Sequence, residues 1–116
     1  MNNISPQLQN QIAQFQQVQQ QLQSVTSQRM QMDSNRRELV KTKEELEKST
    51  GSVYRTTGAF MIKVDDLDSL KADLEESIET LEVRIGSLER QENSLKEKYT
   101  ALQDTINKAM GYTPEE

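Results

Sequence analysis

Few residues in this chain could do chemistry, and they point away from catalysis. The 116-residue sequence has no His and no Cys. That removes imidazole acid–base chemistry, thiol nucleophiles, disulfides and Cys/His zinc sites. Carboxylates remain, but nothing in the pattern encloses a pair of them. The four glycines, Gly51, Gly58, Gly86 and Gly111, lie too far apart for a phosphate-binding loop. The sequence predicts no enzyme, no cofactor and no metal. The chemistry left is ion pairing and apolar association. Arg29, Arg36 and Lys43 recur every seven residues in the first half, and Asp73, Glu76 and Glu79 offer carboxylates in the second.

Those spacings belong to helices. Leu8, Phe15 and Leu22 form one heptad series, and Val18, Val25, Met32, Leu39 and Leu46 form the other. Ser5 before Pro6 reads as an N-cap, and the Gly51 region as a C′ glycine ending the helix. In the second half Leu67, Leu74, Leu81, Leu88, Leu95 and Leu102 form an unbroken row. Val64, Ile78, Ile85, Tyr99 and Ile106 supply the neighbouring row, interrupted by Lys71 and Glu92. A carboxylate at Asp65 or Asp66 opens this helix, and Gly111 followed by Pro114 stops it. A narrow apolar stripe needs a partner helix, and the short connector makes the other half of the chain that partner, antiparallel. End matching sets Leu46 near Leu67, Leu39 near Leu74, Met32 near Leu81 and Val25 near Leu88, with Arg36 and Lys43 near Asp73, Glu76 and Glu79.

The connector has its own pattern. Val53 to Thr57 is rich in β-formers, and Phe60, Ile62 and Val64 alternate on one face, with Gly58-Ala59 between the two runs. The prediction is a β-hairpin. A lone hairpin is marginal in water and leaves two edges open. Pairing with hairpins of other subunits in a barrel-like sheet resolves both problems. Residues 52 to 64 are therefore the candidate oligomerisation segment.

The fold expected is mainly α: a long antiparallel two-helix coiled coil with one central hairpin. It is a single domain, with helices over 5–50 and 66–110, the hairpin over 52–64 and a tail over 111–116. The chain is 33% hydrophobic and 28% charged, with a net charge of −5. Those values suit a coiled coil and make a poor nucleic-acid ligand. No apolar run reaches a membrane span, and the first residues lack a secretory signal. A cytoplasmic protein is expected. The antiparallel arrangement brings both termini to one end, where roughly ten glutamines between Gln7 and Gln23 surround apolar residues. From periodicity alone, residues of this kind either offer a soft apolar surface for binding or simply close the end of the coiled coil.

Three stretches together carry a resemblance: SPQLQNQIAQFQQVQQQLQ (5–23), VYRTTGAFMIKV (53–64) and ETLEVRIGSLERQE (79–92). In order and spacing the chain resembles the prefoldin family, in its β class of archaeal type. An α-class subunit would carry two hairpins, and this connector has room for one. The residues before Val53 depart from the family pattern in being compact and lacking acidic side chains. The resemblance implies an ATP-independent chaperone, a hexamer of two α and four β subunits built on a β-barrel platform. Its coiled-coil tips hold unfolded client proteins and deliver them to a group II chaperonin. By position it maps assembly, the oligomer interface, onto Val53, Tyr54, Phe60, Ile62 and Val64, and client binding onto Leu8, Ile12, Phe15, Leu102, Ile106 and Met110. The alternative reading is a structural coiled-coil adaptor linking fixed protein partners.

Overall fold

A computed structural model of the chain describes residues 4–111. Along them run α1 (Pro6–Lys48), β1 (Tyr54–Thr57), β2 (Phe60–Lys63) and α2 (Leu67–Ala109). Two long helices joined by one hairpin are what the heptads and the connector predict. The described residues fall into two compact units. The first holds those up to Arg29 and from Ser87 onward, and the second is Met30–Gly86.

Local capping starts each helix. The Leu8 amide donates to Ser5 Oγ at 3.1 Å, and Pro6 takes the first helical position without wasting a donor. The Ser69 amide donates to Asp66 Oδ1 at 3.0 Å, which makes Asp66 the cap of α2. The helix ends differ from each other. Gly111 has a φ of 76° and its amide donates to the Lys108 carbonyl at 3.1 Å, the left-handed stop expected of a C-terminal glycine. Gly51 does not play that part. α1 ends at Lys48 through a tightened turn, Ser49 N to Leu46 O at 3.2 Å. Gly51 then lies in the connector without positive φ. The helix closes on its own carbonyls before it reaches the glycine. Tyr112, Pro114 and the rest of the tail lie outside the described residues.

The hairpin is antiparallel, pairing Tyr54 with Lys63, Arg55 with Ile62, Thr56 with Met61 and Thr57 with Phe60. A further bond, Val64 N to Val53 O at 2.8 Å, continues the ladder past the strands. Gly58 has a φ of 59° and Ala59 has no positive φ. That combination is the signature of a two-residue type II′ turn, whose twist matches the strands.

Burial is thin, as two helices can cover only a stripe. Among the described residues the buried apolar side chains are Leu8 and Val18 in the first unit and Ile85 in the second. The leucines of α2 from Leu67 to Leu102 are half-buried. In the first unit the helices are antiparallel: Phe15 of α1 meets Tyr99 of α2, while Arg29, later in α1, meets Glu92, earlier in α2.

Candidate functional site

Glu92 stands where the apolar row of α2 lapses, and it is the most buried charged residue described, only 5% exposed. α1 brings two partners to it. Thr26 Oγ1 donates to Oε2 at 2.6 Å. Arg29 donates through Nε to Oε1 at 2.8 Å and through Nη2 to Oε2 at 3.3 Å, a two-pronged grip. The Thr26 hydroxyl, and then the Arg29 guanidinium, hold the Glu92 carboxyl below the ordinary carboxylate range against the opposing effect of burial. Among the described residues no buried side-chain polar atom is left without a partner. A satisfied polar group at a seam position fixes the register of the helices. Slipping α1 by one heptad one way puts Leu22 opposite the carboxylate. The other way puts Asp33, a second carboxylate, in the place of Thr26.

Other charges divide between the helices. Lys43 reaches across to α2, but to Glu75, with Nζ to Oε1 at 2.9 Å. This hydrogen bond, with smaller help from Glu47 and Glu79, holds the Lys43 ammonium above its ordinary pKa. Arg36 does not cross to Asp73, Glu76 or Glu79. It pairs with Asp33 on its own helix at 3.0 Å, and Arg37 shares that carboxylate at 3.1 Å. A neighbour one turn away on the same helix needs less side-chain ordering than one on another helix.

The six residues mapped to client binding all lie in the first unit. Leu8 is buried, and Met110 is 62% exposed. Ile12, Phe15 and Ile106 line one groove of about 350 Å³, together with Gln16, Gln19, Gln103 and Asn107. Phe15 stacks on Tyr99 there, ring centroids 4.7 Å apart and planes tilted by 32°. Leu102 lies instead in a second groove, of about 580 Å³. Neither groove holds a group of titratable residues that could act on a substrate. Among the described residues no cluster of acidic side chains could hold a metal ion. What the grooves offer is apolar surface bordered by amides.

The hairpin offers apolar surface on both faces. Opposed residues in an antiparallel pair share a face. Phe60 and Ile62 therefore lie on one face with Thr57 and Arg55, and Val53 and Val64 follow by alternation. Tyr54 lies on the other, with Lys63, Thr56 and Met61. Phe60 is 74% exposed and Met61 71%. Val53 and Val64 are half-buried.

Residues 9–112 match the family model described as prefoldin subunit. The chain belongs to the prefoldin subunit family. Its structure is similar to the crystal structure of the prefoldin beta subunit from Thermococcus strain KS-1. The two chains are 39% identical, the TM-score is 0.83, and the match covers 99% of this chain and 100% of that one. A search of curated proteins finds no match. The fold is thus that of a prefoldin β subunit, and the function that of a prefoldin-type chaperone subunit, in a non-enzymatic family whose subunits assemble with one another. No helix among the described residues is long and apolar enough to cross a membrane.

Sequence reasoning missed two parts of this prefoldin chain. Met61 lies on the face of β2 opposite Phe60, and strand alternation against Tyr54 is the signal that marks it. Thr26 is the other, because a threonine beside a heptad valine carries no signal until its partner 66 residues away is known.

Proposed function

We propose that the chain is the β-class subunit of an ATP-independent holding chaperone, two α and four β subunits, that passes unfolded clients to a group II chaperonin. The observation that carries this reading is the open apolar surface in the first unit. Ile12, Phe15 and Ile106 line a groove instead of closing a core, and Met110 stands in solvent. Apolar surface left open in this way suits transient capture of segments that a folded protein would bury. The hairpin supports assembly. Two open edges and an apolar strip on each face are a liability for a lone chain and a resource for one that pairs with others.

Roles follow from these positions. Phe60, Ile62, Val53 and Val64 pack one face of the shared sheet, and Tyr54 and Met61 serve the other. Ile12, Phe15, Leu102, Ile106 and Met110 take apolar side chains of the client, and Leu8 supports them from beneath. The test is Ile12→Ser, Ile106→Ser and Met110→Ser combined, in the complex assembled with an α-class subunit. Suppression of client aggregation should fall severalfold while the mass of the complex is unchanged. Full suppression by this variant would contradict the placement of the client grip.

A further inference from the structure

The second groove of the first unit poses a separate question. None of the chain's Lys, Arg, Asp or Glu side chains precedes Arg29. More than five turns of α1 are therefore solvated without charge, in a chain where 28% of residues are charged. Within that stretch Gln11, Gln14, Gln17 and Gln21, three and four residues apart, form one strip. The strip walls the groove of about 580 Å³, in which Val18 and Leu102 contribute apolar surface. Lys98 is the one charged residue lining it. Gln28 and Gln31 hydrogen-bond to neighbours on their own helix. The four groove glutamines have no such partner among the described residues.

A primary amide carries two donors and an acceptor with two lone pairs. An extended polypeptide presents the complement, one N–H and one C=O per residue. The strip from Gln11 to Gln21 runs ~15 Å at 1.5 Å per residue. That length fits about four or five residues of extended chain at ~3.3 Å each. Val18 and Leu102 would meet the side chains that alternate toward the groove. The glutamine wall carries no charge of its own, and Lys98 adds a single cation to the groove, so what the wall selects for is exposed backbone.

We infer that this amide-walled groove binds extended segments of unfolded polypeptide through main-chain hydrogen bonds. The inference rests on the reading that this part of the molecule holds clients, and it adds what is recognised: the backbone itself.

The test uses the assembled complex and two fluorescent probes. One is a capped nine-residue peptide of Leu, Phe, Ser and Thr. The other has the same side chains with alternate amides replaced by esters, which deletes N–H donors and keeps the shape. Anisotropy should show the ester probe binding about tenfold more weakly, the loss expected for one or two net hydrogen bonds. In the complex carrying Gln11→Ala, Gln14→Ala, Gln17→Ala and Gln21→Ala, the two probes should bind alike. Equal affinity of both probes for the unaltered complex overturns this inference alone. So does a tenfold preference that survives in the alanine variant. Failure of both probes to bind at all overturns the holding reading with it. The comparison on the unaltered complex stands even where the variant assembles poorly.

Discussion

A carboxylate inside a two-helix seam is costly to desolvate, and its partners only return that cost. Glu92 therefore matters more for register than for net stability. Removing its cation strands it. Arg29→Ala should destabilise the chain by about 2–3 kcal/mol, the scale of a lost charged hydrogen bond in a buried place. Glu92→Leu, which removes the charge itself, should cost much less. Thermal unfolding followed by circular dichroism compares the two, and equal losses would contradict the assignment. The pH dependence has a definite sign. The folded carboxyl titrates below its ordinary value of 4.5, so the stability it contributes is complete above that value. It is lost as pH falls through the folded value. The stability gap between the natural chain and Glu92→Gln should narrow as pH falls below 4.5; a gap that widens would show that Glu92 is not held ionised. At this scale the sequence was legible where partners are local. Ser5 and Asp66 cap residues three positions away, and their types announce it. Glu92 was visible as a lapse in the apolar row. Its meaning was not, because Thr26 and Arg29 lie more than 60 residues earlier.

The hairpin is the element proposed to join the chain to its partners. Its turn needs Gly58, whose φ of 59° is strained for a residue with a side chain. A Cβ there would meet nothing within 4 Å, so the penalty is conformational and not a clash. Gly58→Ala should weaken the hairpin by about 1–2 kcal/mol. Phe60→Ser with Met61→Ser should do more, since it removes apolar area from both faces. Native mass spectrometry with an α-class subunit should then show free chains in place of the complex, while the helical signal of each chain persists. An intact complex from this double variant would contradict the proposed interface. The hairpin was legible for the same reason as the caps: β-formers, a glycine-containing turn and alternation all lie within a dozen residues. The end of α1 was not. Gly51 offered a left-handed stop, but the backbone closed at Ser49, and nothing in the residue types distinguishes the two endings. The path of Arg36 was equally hidden, because carboxylates were available both on its own helix and on α2, and the nearer one won.

At the scale of the molecule, apolar material is spent sparingly. Three apolar side chains are buried among the described residues, while Phe60, Met61, Met110 and Val83 are each more than 60% exposed. A chain with so little core of its own leaves apolar surface that other chains can cover. The heptads made the long helices legible, and the order of three stretches made the family legible. The grooves could not be foreseen, because the heptad pattern says which residues face the seam but not how far two helices leave it open. The most direct measurement is light scattering from unfolded lysozyme diluted into refolding buffer without nucleotide, with and without the complex of this chain and an α-class subunit. Stoichiometric complex should suppress the scattering almost fully, and added ATP should change nothing. Scattering that rises as fast with the complex as without it would contradict a holding chaperone.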